Sequence, residues 1–200
     1  MTQDAAGGPI ADRPVRREVL ERTVVHHGRV WDVVAEVVDL GETQVLREYV
    51  DHPGAVAVIA VDDDGRVLLL SQYRHPVRAE LWEPPAGLLD VPGEDPQAAA
   101  ARELEEEADL RAERWERLLD YRTTPGGSSE TIVFFLARGL TPVPESERFV
   151  RTDEEATMVP HWLPLDDAVT AVLEGRLHSP TTVVGVLAAA TLRDRAAGAA

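Results

Sequence analysis

The 200-residue chain lacks two residue types that bear on its chemistry. It contains no cysteine, which excludes disulfides, thiolate metal sites and a cysteine nucleophile. It also contains no lysine, so all 20 of its basic side chains are arginines, and its 36 acidic residues bring the formal net charge to −16. Because nucleic-acid binders need basic patches to neutralise phosphates, this balance predicts a protein without a nucleic-acid partner.

Long apolar runs are also missing. The longest apolar stretch, near Val183 to Leu192, is much shorter than the roughly 20 residues that span a bilayer. The N-terminal letters MTQDAAGGPIADRP show no basic start followed by an apolar run, so no signal peptide is predicted. We therefore expect a cytoplasmic protein without a membrane partner.

The length and an apolar fraction of 44% indicate a globular chain of one main domain with a small appendage. Residues 1–14 are small and contain Pro and Gly, which predicts a disordered N-terminus. Residues 15–52 contain strand-like runs broken by turn signals and predict a small antiparallel sheet. The letters HPG then separate this subdomain from the main domain, predicted over residues 53–197.

Within the main domain, strand-like segments precede and follow a central helix, which favours an α+β fold over alternating βαβ units. Two apolar runs around Asp62 to Gly65 predict a β-hairpin. Asp95 as a cap with Pro96 at the first helical position predicts a helix from about Pro96 to Ala108. Strands are expected on both sides of PGGSSE and over MVPHWLPL, and further helices over residues 166–174 and 180–195.

The central helix carries an unusual charge pattern. The letters RELEEE, residues 102–107, place Glu103, Glu106 and Glu107 on one helix face, where each like-charge pair costs about 0.2–0.5 kcal/mol. Clustered carboxylates are the ligands that Mg²⁺ takes together with phosphate oxygens and water. From charge alone, a metal site and a solvated acidic face both remain open.

The letters around this helix resemble the Nudix box, which has Gly, five residues, Glu, seven residues, then Arg-Glu-aliphatic-any-Glu-Glu-any-Gly-aliphatic. Here Glu94 is followed by seven residues and then RELEEEADL. The sequence departs from the pattern twice: Gly87 has six residues between it and Glu94, and Asp109 stands where the box has its second Gly. A residue that ends a helix often adopts a left-handed conformation, which Asp tolerates less well than Gly.

The resemblance implies a Nudix fold, in which a mixed β-sheet is sandwiched between helices. It also implies two to three Mg²⁺ or Mn²⁺ ions, and in it Arg102 orients the glutamates while Gly87 and Glu94 support the loop before the helix. The residues to which it assigns metal binding are Ala86 (through its backbone carbonyl), Glu103, Glu106 and Glu107.

Outside the box, SQYRHPVRAELWEPPAGLLD and TPGGSSE are similar to segments of the ADP-ribose pyrophosphatase subfamily. This resemblance implies hydrolysis of ADP-ribose to AMP and ribose 5-phosphate, and a homodimer formed through the N-terminal sheet. A proline of the chain matches one that marks the subfamily, and the residue chemistry offers further substrate contacts: two arginines beside predicted strand ends for the pyrophosphate, an aromatic residue that could stack on adenine, and a glutamate. Each of these residues also has an ordinary explanation, as a surface arginine, an ion-pair partner, a packed aromatic or a turn residue. These residues are Trp31, Arg47, Arg74, Glu83 and Pro125.

Hydrolysis also needs a base that activates water, and the subfamily places a Glu on a loop after the box. The letters RTDEEATM offer Glu155 and Glu154, of which the resemblance favours Glu155, and Glu106 is a further catalytic candidate. Three alternatives remain: a Nudix hydrolase of another nucleoside diphosphate sugar or of NADH, a non-catalytic Nudix domain that senses ADP-ribose, and a plain acidic interaction module.

Overall fold

The structure is a computed structural model that describes residues 10–151 and 157–198. The chain divides into two compact units, residues 1–50 and residues 51–200. Residues 10–17 have no secondary structure and are exposed. The rest of the segment predicted to be disordered, residues 1–9, lies outside the described residues.

The first unit is a small sheet with the strand order β1-β2-β3. Its strands are β1 (Glu18–His27), β2 (Asp32–Asp39) and β3 (Gln44–Asp51). β1 and β2 pair antiparallel, with two irregularities in register along β1. Val34 of β2 is fully buried, whereas β1 exposes almost its whole length. The prediction of a small antiparallel N-terminal sheet is confirmed.

The second unit contains seven strands and three helices among the described residues. In chain order they are β4 (Ala55–Ala60), β5 (Arg66–Arg74), β6 (Ala79–Glu83), β7 (Ala86–Leu88), α1 (Pro96–Ala108), β8 (Leu110–Arg122), β9 (Thr131–Pro142), β10 (Val159–Pro164), α2 (Leu165–Leu173) and α3 (Pro180–Gly198). Within the described residues no helix is long and apolar enough to cross a membrane.

The strands of this unit form two sheets, ordered β7-β4-β9-β8 and β10-β5-β6. The first sheet is mixed, because β4 pairs parallel with β9 whereas β7 and β8 pair antiparallel with their neighbours. The side chains of β4 alternate between the two faces of the sheet, and all of them are buried because helices cover both faces. Ala57 and Ile59 pack with α2 and α3 on one face, and Val56 and Val58 pack with α1 on the other. The expected mixed sheet between helices is confirmed.

The turn at Asp62 to Gly65 forms as predicted, with the Gly65 amide donating to the Asp62 carbonyl at 3.1 Å. The prediction that the flanking strands pair as a hairpin is wrong, because β4 and β5 belong to different sheets and an isolated bridge joins Val61 to Val67. The physical reason is that β7 and β9 already occupy both edges of β4.

Candidate active site

The residues that flank helix α1 determine where it begins and ends. The Asp95 carboxylate accepts hydrogen bonds from the amides of Gln97 at 2.9 Å and Ala98 at 3.3 Å, and Pro96 occupies the first helical position. At the other end Asp109 adopts the left-handed conformation, with φ 54° and ψ 38°. The left-handed end expected from the position of Asp109 in the box is therefore present, with an aspartate in place of glycine.

Two carboxylates of α1 lie against the backbone of β7. Glu103 and Glu107 are each only 9% exposed. The Ala86 amide donates to Glu107 Oε2 at 2.9 Å. A Cβ atom added to Gly87 would lie 2.0 Å from Cδ of Glu103, so the absence of a side chain at Gly87 makes room for this carboxylate. A solvated acidic face would leave these groups exposed, and the structure buries them.

Arg102 contacts three carboxylates at once. Its Nη1 donates to Glu103 Oε1 at 2.6 Å and to Glu106 Oε2 at 3.2 Å, and its Nε donates to Glu94 Oε1 at 3.3 Å. The hydrogen bond to Glu94 and the charge of Glu103 raise the pKa of Arg102 above its ordinary value, although partial burial opposes them. Arg102 therefore stays charged at any physiological pH and joins the loop before α1 to the acidic face.

The donor set of this face suits a hard divalent cation, because it consists of carboxylate and backbone oxygens. At Gly87 the Glu103 carboxylate lies where a Cβ atom would otherwise be, which brings this carboxylate close to the backbone, as a glycine permits. Among the described residues, no three His, Cys, Asp or Glu side chains converge as a metal-binding group. As arranged here, Glu103 and Glu106 are directed at Arg102.

Four predicted site residues from four elements line one small cavity of about 10 Å³: Arg74, Glu83, Ala86 and Glu107. Glu83 is 8% exposed and accepts hydrogen bonds from Arg74 Nε at 3.1 Å and Nη2 at 2.5 Å. The ends of β5, β6 and β7 and the last turn of α1 thus meet here. A buried carboxylate of this kind needs a cationic partner, and Arg74 supplies it.

A larger cavity of about 640 Å³ lies beside the acidic helix. Arg102 and Glu106 line it from the helix, and Arg148 and Phe149 line it from the segment after β9. The sequence reasoning missed Arg148 and Phe149. The available signal was a single aromatic residue in the long polar stretch VPESERFVRTDEEAT.

The remaining predicted residues belong to other segments of the chain or lie outside the described residues. Pro125 is exposed in the turn between β8 and β9, where the amide of Gly127 donates to the Thr124 carbonyl at 2.9 Å. In the first unit, Trp31 is 46% exposed just before β2, and Arg47 of β3 donates to the Leu46 carbonyl at 2.8 Å. Glu154 and Glu155, the candidate bases, lie outside the described residues.

Arg151 is a further residue at this site that the sequence reasoning did not single out. Its Nε donates to the Glu106 carbonyl at 2.8 Å, and its Nη2 donates to Asp109 Oδ2 at 2.6 Å. No local sequence pattern predicts these contacts, because the partners of Arg151 lie 45 and 42 residues earlier in the chain.

Comparison with known proteins gives a consistent result. A family model described as NUDIX domain matches residues 51–182. The chain is 42% identical over 172 residues to a protein named ADP-ribose pyrophosphatase from Mycobacterium tuberculosis, covering 86% of this chain and 82% of the relative. It is 37% identical over 163 residues to a protein named methanol dehydrogenase activator from Bacillus methanolicus, covering 81% of this chain and 86% of the relative.

A solved structure described as an ADP compounds hydrolase superposes with a TM-score of 0.71 at 21% identity, covering 94% of this chain and 98% of that chain. At this identity the likeness concerns the fold. It agrees with the arrangement of mixed sheet and helices described above.

Proposed function

The chain is a hydrolase of the NUDIX family, and on that premise we propose that it hydrolyses ADP-ribose to AMP and ribose 5-phosphate with the help of divalent metal ions. The observation that carries the proposal is the burial of Glu103 and Glu107 against β7, beside a glycine whose missing side chain makes room for one of them. Arg102 supplies one positive partner to this face, and clustered carboxylates of this kind are the ligands that a divalent cation takes together with phosphate oxygens.

The choice of ADP-ribose is supported by the relative from M. tuberculosis, which is 42% identical over most of both chains. The relative from B. methanolicus is named for activation of methanol dehydrogenase and not for a substrate. Similarity to these relatives therefore does not fix the substrate, which has to be tested. The runner-up activities are hydrolysis of another nucleoside diphosphate sugar or of NADH.

The residues that would hold two or three Mg²⁺ or Mn²⁺ ions are Glu103, Glu106, Glu107 and the backbone carbonyl of Ala86. When bound, such ions supply positive charge for the pyrophosphate oxygens and lower the pKa of bound water. Glu103 and Glu106 both contact Arg102, so we expect part of these contacts to be exchanged on metal binding, with Arg102 holding the carboxylates in orientation.

In the reaction, the oxygen of a water molecule bonds to one phosphorus of the pyrophosphate, and the bond from that phosphorus to the bridging oxygen breaks. The bridging oxygen leaves with the other phosphate, and the water proton passes to a base, which we assign to Glu155 or, as second choice, Glu154. Arg74, held by Glu83, is proposed to face the pyrophosphate. Trp31, Arg47 and Pro125 remain predicted substrate contacts.

The test is release of AMP from ADP-ribose by the purified protein with Mg²⁺. Glu103→Gln and Glu107→Gln should each lower kcat by at least about a hundredfold, since each removes a charged ligand. Glu116→Gln is a matched control, because Glu116 is an exposed glutamate on β8, and it should keep the wild-type rate. Unchanged rates in both ligand variants would remove the metal site from the proposal.

A substrate panel ranked by kcat/KM separates the alternatives. A clear preference for a different nucleoside diphosphate sugar or for NADH would replace ADP-ribose as substrate while keeping the reaction. Tight binding of ADP-ribose without AMP release would instead favour a non-catalytic sensor. Absence of AMP release together with ligand binding that is the same with and without Mg²⁺ would favour a plain acidic interaction module.

We also propose a homodimer formed through the N-terminal sheet, and we keep residues 15–52 and 53–197 as the functional division of the chain. Support for the dimer comes from apolar side chains exposed on this sheet, such as Val25 at 55% and Leu46 at 58%. Light scattering should show a dimer in the wild type and a monomer after Val25→Glu and Leu46→Glu are combined. A monomeric wild type would exclude the dimer. A cytoplasmic location and the absence of nucleic-acid and membrane partners remain predictions.

A further inference from the structure

The last turn of α1 is tied to the chain beyond β9 by one arginine. Arg151 donates two hydrogen bonds, one to the Glu106 carbonyl at 2.8 Å and one to the Asp109 carboxylate at 2.6 Å. The side chains of Arg151 and Asp109 are 25% and 22% exposed, so the ion pair is mostly removed from water and weakly screened.

The first of these bonds caps the C-terminal end of α1 with a residue that lies far away in the sequence. The last four carbonyls of a helix lack partners within it, and the Glu106 carbonyl is among those four, since α1 ends at Ala108. A cation at this end also interacts favourably with the helix dipole. Residue 109 closes the same turn, because its amide donates to the Glu105 carbonyl at 3.1 Å.

An aspartate at position 109 has two local disadvantages. Its φ of 54° lies in the left-handed region that favours glycine. Its Oδ1 is buried and accepts no hydrogen bond from the described residues, which leaves a desolvated oxygen uncompensated. A position that merely ends a helix would be better served by glycine, so the ion pair with Arg151 is the gain that offsets both costs.

The same pair borders the candidate metal ligands. Glu106 is held at both ends, with its carboxylate bound by Arg102 Nη1 at 3.2 Å and its carbonyl bound by Arg151 Nε at 2.8 Å. Glu107, the next residue, accepts the Ala86 amide at 2.9 Å. A small rotation of this turn would therefore move two carboxylates of the acidic face together.

We propose that Asp109 and Arg151 are positioning residues: their ion pair sets the orientation of the last turn of α1, and through it the carboxylates of Glu106 and Glu107. The inference rests on the proposed function, in which these carboxylates bind divalent metal. Residues that orient metal ligands commonly change metal affinity or activity by about 10–100-fold when they are replaced.

The test begins with Mn²⁺ binding to the full chain, followed by electron paramagnetic resonance, which requires no turnover. Asp109→Gly and Arg151→Gln should each weaken Mn²⁺ binding about tenfold. The double variant should be no weaker than the weaker-binding single variant, because both changes break one interaction. Wild-type Mn²⁺ affinity in both single variants, or a double variant whose loss is the product of the two, would overturn the proposal.

Two further readouts separate positioning from simple stabilisation. Asp109→Gly relieves the left-handed strain, so its metal-free melting temperature should equal or exceed that of the wild type while its kcat on ADP-ribose falls and KM changes less than about twofold. Asp109→Asn keeps the tolerance for this conformation and one acceptor oxygen, so it should recover part of the affinity. A lower melting temperature with unchanged kcat in Asp109→Gly would show a purely structural role.

The matched control is Asp166→Asn, which breaks another arginine–aspartate pair between separate elements. Arg193 of α3 donates to Asp166 of α2 at 2.7 Å, on the sheet face opposite α1, and this change should leave Mn²⁺ affinity unaltered. Failure of the proposed substrate is recognised separately. If the wild type binds Mn²⁺ but releases no AMP from ADP-ribose, the substrate assignment fails, whereas weaker Mn²⁺ binding in the variants would still support the positioning role.

Discussion

Replacing Gly87 by alanine tests the role of this glycine directly. The added Cβ atom would lie 2.0 Å from both Cδ and Oε1 of Glu103 and 2.6 Å from its Oε2. The clashing atoms are the end of a flexible side chain, so the carboxylate can move away while the backbone of β7 stays in place. We expect Gly87→Ala to displace a candidate metal ligand without unfolding the protein.

The displacement can be worked out from the structure. To move from 2.0 Å to an ordinary contact of at least 3.4 Å, Cδ of Glu103 must shift by about 1.4 Å. A misplacement of about 1 Å in a catalytic group can cost a hundredfold in rate, which corresponds to about 2.7 kcal/mol. The cost in folding stability should be smaller, about 1 kcal/mol, at the low end of the range for overpacking.

The assay compares kcat/KM for ADP-ribose and the urea unfolding midpoint of Gly87→Ala with those of two other variants. Gly185→Ala is the opposite case, because its Cβ would lie 2.3 Å from Cδ1 of Ile59 in the core and should lower stability by about 1–3 kcal/mol while sparing activity per folded molecule. Adding Glu103→Asp to Gly87→Ala shortens the displaced side chain and should restore part of the activity. Near-wild-type activity in Gly87→Ala would refute the reasoning.

Four further outcomes follow from the described contacts and from the sequence. Asp95→Ala removes the N-terminal cap of α1 and should lower stability by about 0.5–2 kcal/mol in urea unfolding, with kcat unchanged. Arg102→Gln should weaken Mn²⁺ binding by about 10–100-fold in a resonance titration. Burial acts to raise the pKa of Asp62, but hydrogen bonds from Arg66 outweigh burial and lower this pKa below 3.8. The stabilisation that these hydrogen bonds give is therefore present above pH 3.8 and is lost as the pH falls through the folded-state pKa. The unfolding midpoints of Asp62→Asn and of the wild type should accordingly differ at pH 7 and converge in acid. Glu155→Gln should lower kcat about a hundredfold or more if this residue is the base, measured as AMP release.

The bounds of α1 could be predicted because the signals that set them are local. Asp95 and Pro96 start the helix, and the left-handed residue Asp109 ends it, so each signal lies in the helix or directly beside it. The hairpin prediction at Asp62 to Gly65 failed for the opposite reason. A turn is a local property, but strand pairing depends on which edges are free, and partners far away in sequence occupy those of β4.

The same distinction applies to the site. Three glutamates on one helix face follow from their spacing alone. The pairing of Arg74 with Glu83 could be named as an alternative because β5 and β6 are adjacent in the chain. The contact of Arg151 with the end of α1 spans more than 40 residues of sequence. The chain has 20 arginines, and no sequence pattern indicates which of them would make this contact. Conformation at Asp109 was foreseeable, but its partner was not.

Helix α1 keeps its acidic residues at the end where they are least favourable. Its last turn contains no basic residue, although a helix C-terminus attracts cations and repels carboxylates. Counter-charge reaches it from Arg102 one turn earlier, from Arg111 on β8 and from Arg151 after β9. A chain selected for stability alone would place basic residues in that turn, and a solvated face would leave Glu103 and Glu107 exposed rather than 9% exposed. The buried carboxylates are those of Glu103, which pairs with Arg102, and of Glu107, which accepts the Ala86 amide. Their position against the backbone of β7 is therefore better explained by a ligand that needs their charge than by the stability of the helix.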